Sequence, residues 1–378
     1  MRKKANKAIT IFLALIIFVL GPAMKAHALE PTLKWKKEFK HEVKNVDLAT
    51  DTGDVILSLE KGGEVVLFDK DGNERFHWGP RIDRRAGAAH ISKDGRYFVF
   101  YSGYTEMYAE KKKVSGWSDD RIHFYSRQTK KELWNTKNGI PYIFPDGLSL
   151  ISEYGRFSIF NAEGRKIFTN DQSLDIPSFK ISPDSNYFAL VRGSMQPLTL
   201  FRRDGTKLWE RGRHDSVASI TEGASYISTW PYSLGLSYTA DPENTHKGTV
   251  YDRNGNKVLE GFGILSGDGS KIAMLSPDKA SILNLPNKST IKEIPISIHD
   301  ILGTGEINFA AFSFNGRYLV LRNGLSLQVV DLVEDTKKEI SLPGAGRFPV
   351  LFSLTSDGKN LLIRDWQTIK SIYYYQLY

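Results

Sequence analysis

Apolar residues along this chain come in short, β-prone runs, each closed off by Gly, Pro, Asp, Asn or Ser. Residues 180–211 show the unit most plainly. A tight turn at Ser182-Pro183-Asp184-Ser185 leads into the run 187–191, and a loop at 193–197 leads into 198–201. A second tight turn at Asp204-Gly205 leads into 207–210. Short runs rich in aromatic and branched residues between such turns predict antiparallel hairpins. A single unit of this kind cannot bury both of its faces, so the pattern has to recur.

It recurs about eight times. The first turn returns at Asp51-Thr52-Gly53, Ser92-Lys93-Asp94-Gly95, Pro145-Asp146-Gly147, Pro183-Asp184-Ser185, Thr221-Glu222-Gly223, Gly267-Asp268-Gly269, Phe314-Asn315-Gly316 and Ser356-Asp357-Gly358. The last residues of these turns are 42, 52, 38, 38, 46, 47 and 42 positions apart. A second turn follows within each unit, as at Asp71-Gly72, Glu163-Gly164 and Asn254-Gly255. Two turns and a preceding run make four strands per unit, and periods near 40 to 50 with four strands each predict an all-β propeller. Eight four-stranded antiparallel blades are expected, with seven the alternative because the 52 and 38 spacings flank Gly147. The eighth unit stops at Tyr378 one strand short, while residues 33–39, LKWKKEF, resemble the outer strands elsewhere. Pairing that segment with the last blade closes the ring and covers an open edge.

The start of the chain changes the picture of where this ring works. Arg2, Lys3, Lys4 and Lys7 precede a run of thirteen residues, 8–20, that is apolar except for Thr10, and Ala26-His27-Ala28 places small residues before a cut. This predicts a signal peptide over 1–28 and a single propeller domain over 29–378. The run falls short of the roughly 20 residues a membrane span needs. The expected product is secreted or periplasmic, with no stable membrane span after cleavage. The net charge of +8 comes largely from the leader: without its five Lys/Arg, 46 basic residues face 43 acidic ones. A balance that even gives no reason to expect nucleic acid as a partner. No cysteine is present, so disulfides and a lipid-bearing Cys are both excluded.

The phrase Ser-x-Asp-Gly-x-Tyr at 92–97 resembles the propeller repeats of the TolB type. The phrase Asp204-Gly205-Thr206-Lys207-Leu208-Trp209 resembles the repeats of quinoprotein-like propellers, those of the PQQ type. Both resemblances imply the propeller fold. The second also implies a rival function, a quinoprotein-type dehydrogenase with a cofactor at the ring centre, but no calcium and quinone ligand set is identifiable. A third reading is a scaffold of cell-envelope assembly, similar to the eight-bladed propeller lipoprotein of outer-membrane assembly, whose lipidated Cys this chain lacks.

Catalytic signals are missing. There is no G-x-S-x-G, no H-E-x-x-H and no phosphate-binding loop. Asp241-Pro242-Glu243-Asn244-Thr245-His246 has Glu-x-x-His spacing, but Pro242 and a loop setting argue against a ligand pair. No metal and no cofactor are expected. Loop length is more informative. With strands a to d in each blade, the a–b and c–d turns share one face and are short. The b–c and d–a connections share the other, and they hold the long insertions 78–89, 102–121, 231–248 and 297–308. Long loops on a rigid scaffold are where binding concentrates. Tyr104, Tyr108, Trp117, Tyr232 and Tyr238 lie in them, with Trp230 at a strand end and Arg81, Arg84 and Arg85 on the same face. Aromatic residues with Arg are the usual anchors of interfaces; the competing reading is that the rings staple their own loops. The leading expectation is a non-catalytic propeller that binds a protein or glycan partner outside the cytoplasm through this face.

Overall fold

The computed structural model describes residues 30–60, 63–79, 84–104, 121–137, 139–153, 156–170, 178–191, 196–214, 216–230, 248–276, 278–297, 310–342, 351–364 and 370–378. Their strands form eight four-stranded antiparallel sheets, the blades of one propeller ring. Blades 1 to 7 take residues 43–78, 84–137, 140–170, 178–214, 216–260, 263–295 and 310–341 in order. Blade 8 takes 351–376 for its three inner strands and Thr32–Glu38 for its outer one. The count is eight, and the N-terminal strand closes the ring. Thr32 pairs with Gln376 and Glu38 with Ser371, and the Trp35 ring stacks on Tyr374 with centroids 4.9 Å apart.

The ring has no single core. Buried side chains fall into eight clusters, each shared between two neighbouring blades. Strands b and c therefore meet apolar neighbours on both faces, which explains why Val55–Leu59 and Val65–Phe68 are buried at every position. The outer strands touch a neighbour on one face only, so in Glu74–Trp78 Phe76 and Trp78 are half-buried while Glu74, Arg75 and His77 are exposed. Charges on those strands discourage edge-to-edge pairing. One strand departs from the expected boundary. Pro197, expected in a loop, lies inside Gln196–Arg202, where the register shifts between Gln196 and Leu198. A proline has no N–H for the ladder, and an irregularity accommodates it.

Two recurring phrases turn out to be inter-blade devices. In Ser-x-Asp-Gly-x-Tyr the serine hydroxyl donates to the aspartate and accepts the N–H of the tyrosine: Ser92 Oγ lies 2.8 Å from Asp94 Oδ1 and 3.0 Å from the Tyr97 nitrogen. The Tyr97 ring then covers Gly147 of the next blade, where an added Cβ would lie 2.3 Å from a ring carbon. The aromatic residue of the outer strand does the same to the c–d turn ahead of it. Trp35 covers Gly72, Trp134 covers Gly164, Phe168 covers Gly205 and Trp209 covers Gly255. Gly205 has φ +88° and Phe168 at 2.3 Å from where a Cβ would be, so both backbone and ring require glycine.

The c–d turn of blade 1 is held by a carboxylate. Asp69 accepts the Asp71 and Asn73 N–H groups at 3.0 and 2.9 Å and the Arg75 Nε–H at 2.8 Å. Burial pushes its pKa up, but these bonds outweigh that and hold it down at about 2. A folded pKa below the unfolded one stabilises the protein above the ordinary aspartate range, and the contribution is lost as pH falls from about 4 toward about 2. Asp69→Asn should therefore cost roughly 2 kcal/mol at neutral pH, the value of charge-assisted hydrogen bonds. Urea titrations of both proteins from pH 7 down to pH 2 should show that gap closing; a gap independent of pH would refute the charge argument.

Candidate functional site

The register brings part of the expected site together. Arg84 and Tyr104 are directly opposed on strands a and b of blade 2, and Arg85 opposes Gly103. In blade 5 strand b ends at Trp230, opposite Ser216. Strand b runs away from the short a–b turn, so Tyr104 and Trp230 both end on the long-loop face. Arg81, Tyr108, Trp117, Tyr232 and Tyr238 lie outside the described residues.

A hydrogen-bonded relay invisible in the sequence lies at the base of blade 2. Ser102 Oγ is 2.9 Å from His123 Nε2, and His123 Nδ1 is 2.9 Å from Glu132 Oε2. With the carboxylate holding the proton on Nδ1, Nε2 accepts from the serine hydroxyl. Burial raises the Glu132 pKa, but the hydrogen bond from His123 and the one from Asn135 bring it below the usual carboxylate value. The distances are those of a nucleophile, base and orienting acid. The environment is not. Ser102 is 0% exposed, and the His123 ring is packed against Phe100 at 4.9 Å and Trp78 at 5.8 Å. The relay joins strands b, c and d of blade 2 and serves as a brace. Spacings of 21 and 9 residues across three strands leave no sequence signature.

The inner strands enclose a central cavity of about 590 Å³. Polar side chains on its wall tie blades 1 and 2. Asn45 Oδ1 accepts the Ala89 N–H at 3.1 Å, while Asp47 accepts the Leu48 and Ile91 N–H groups and lies 3.3 Å from His90 Nδ1. The His90 ring stacks on Tyr142 of blade 3 at 5.8 Å, and Tyr142 leans on Phe179 of blade 4 at 5.0 Å. Between blades 8 and 1, Arg364 on strand b of blade 8 donates to the Lys44 carbonyl at 3.1 Å. Burial lowers its pKa below the ordinary guanidinium value.

The short-turn mouth of this cavity is bridged. Backbone hydrogen bonds link the a–b turns in succession: Glu222 to Gly267, Asp268 to Phe314, Phe314 to Ser356, Ser356 to Thr50 and Asp51 to Lys93. Pro145 and Pro183 hold the corresponding places in blades 3 and 4 and have no N–H to give. Lys93 of blade 2 places its Nζ 4.8 Å from the ring of Phe314 in blade 7 and 3.6 Å from Asp51. Blades 8 and 1 lie between them on the rim, so this contact crosses part of the mouth.

Among the described residues no group of three or more His, Cys, Asp or Glu could hold a metal ion, and no helix is long and apolar enough to cross a membrane. The folded chain belongs to the class of eight-bladed β-propellers. No family model and no curated protein matches the sequence. A crystal structure of the eukaryotic initiation factor is similar in fold, with a TM-score of 0.57 and 13% identity over 90% of this chain and 87% of that one. At that identity the likeness concerns the fold alone.

Proposed function

We propose that this chain is an exported, non-catalytic propeller that binds a protein or glycan partner through its long-loop face. The observation that supports this reading is the pairing of Arg84 with Tyr104 at one edge of blade 2, with Trp230 ending a strand on the same face. Connections gathered at one face of a rigid frame are where binding concentrates, and arginine and aromatic residues are the residue types that interface centres use. Export is carried by the basic, apolar and small-residue order of 1–28, and N-terminal sequencing of protein recovered outside the cell should start at Leu29.

The binding test uses the mature chain on a glycan array and as immobilised bait for envelope and culture-medium fractions. The ligand recovered is then titrated against single variants Tyr108→Ala, Trp117→Ala and Tyr232→Ala. An interface aromatic is worth about 2 kcal/mol or more on truncation, so each variant at the contact should bind roughly tenfold more weakly or worse. Melting temperatures should barely move. If the variants unfold the protein while affinity per folded molecule stays the same, the rings are staples and the partner binds elsewhere.

A further inference from the structure

The rim of hydrogen bonds around the short-turn mouth is incomplete, and its gap lies away from the point where the chain closes the ring. Backbone bonds join the a–b turns of blades 5 to 6, 6 to 7, 7 to 8, 8 to 1 and 1 to 2. Among the described residues none joins blade 2 to 3, 3 to 4 or 4 to 5. At the closure, the bond from Ser356 to the Thr50 carbonyl is reinforced by the Ser356 hydroxyl, 2.7 Å from Asp51 Oδ1. Phe314 and Ser356 give their N–H groups from one position of the turn; Pro145 and Pro183 fill that position in blades 3 and 4 and have none to give.

Blades 3 and 4 hold together by other means. Their shared core contains Phe144, Phe157, Phe179, Phe188 and Phe201, and apolar burial of this kind is strong but non-directional. Arg203 in the c–d turn of blade 4 pairs with Asp146 in the a–b turn of blade 3 at 2.8 Å, but both side chains are open to water, where such pairs hold weakly. We propose that the ring opens along this seam. The a–b turns of blades 3 and 4 part on the short-turn face and widen that mouth of the central cavity. The phenylalanine core is the pivot, and the arc from blade 5 through blade 8 to blade 2 stays tied. Local opening of a fold falls where fixed contacts are fewest, which here is opposite the closing strand and not beside it.

A chain without cysteine lets a single introduced thiol report on this opening. Ser182 in blade 4 and Ser313 in blade 7 are both 0% exposed and hold the same place in their turns. Each hydroxyl accepts the N–H of the tyrosine five residues on, Tyr187 at 3.0 Å and Tyr318 at 2.9 Å. Ser182→Cys and Ser313→Cys are therefore matched changes, one at the seam and one in the tied arc. In the native mature chain an aromatic disulfide reagent should label Ser182→Cys roughly tenfold faster than Ser313→Cys, or more. Adding Pro145→Ala, which returns an N–H for the Pro183 carbonyl, should slow the first. Adding Phe314→Pro, which copies the Ser-Pro of blade 4, should speed the second, whereas Phe314→Ala keeps the N–H and should not. Equal labelling of the two thiols overturns the seam, as does faster labelling of Ser313→Cys. Equal acceleration by Phe314→Pro and Phe314→Ala overturns the role of the missing N–H groups, because loss of the ring alone would then explain it.

Discussion

Removing residues 29–40 should leave a protein that melts far below the full mature chain and is prone to associate. The deletion takes away the whole outer strand of blade 8, including Trp35, whose ring stacks on Tyr374 and whose Nε1–H donates to the Lys70 carbonyl of blade 1 at 3.1 Å. Loss of a large packed aromatic alone costs roughly 3 kcal/mol or more, and the strand's hydrogen bonds to Ser371–Gln376 go with it. The bared strand becomes a sheet edge open to other chains. Differential scanning calorimetry and size-exclusion chromatography of the two proteins decide the matter, and a synthetic peptide of residues 29–40 added in trans should restore part of the lost stability. Identical melting would mean that the ring does not depend on this closure.

Trp209→Ala should be the most damaging single substitution of the outer strands. The indole is 8% exposed, packs in the core between blades 4 and 5, covers Gly255 and donates to the Arg253 carbonyl at 2.7 Å. Truncating a buried tryptophan costs about 3–5 kcal/mol. Trp209→Phe keeps most of the packing and loses the hydrogen bond, so it should cost about 1 kcal/mol beyond its volume change. Trp134 provides the contrast. It covers Gly164 in the same way, but its buried N–H meets no acceptor among the described residues, so Trp134→Phe should cost less than Trp209→Phe. Chemical denaturation of the three variants ranks them. Equal costs for the two Phe variants would show that the Arg253 bond contributes nothing.

Much of the frame is legible because each blade repeats a local code. Gly205 and Asp94 sit in turns that their own chemistry specifies, and the runs between them have the length of strands. The missing outer strand and the spare N-terminal segment could be matched in the same way. Loop length separated the two faces of the ring, and the register then paired Arg84 with Tyr104 across strands a and b. The relay Ser102–His123–Glu132 was not legible, because its members have unrelated spacings and meet only through the pairing of three strands.

By itself the sequence determined the strands, the turns, their repetition and the need for a closing strand, since each follows from interactions within a few residues or from a count of elements. The tertiary structure decided the number of blades, the eight separate cores and the direction in which each ring residue points. Trp209 as a sequence feature is one member of a recurring phrase; only the packed ring makes it a lid on the glycine of the next blade. Likewise the prolines at 145 and 183 read as ordinary turn residues, and their effect on the rim of hydrogen bonds exists only because neighbouring turns are brought together around the axis. Contacts between blades are long in sequence and short in space, and burial across those contacts is what converts a string of hairpins into one ring.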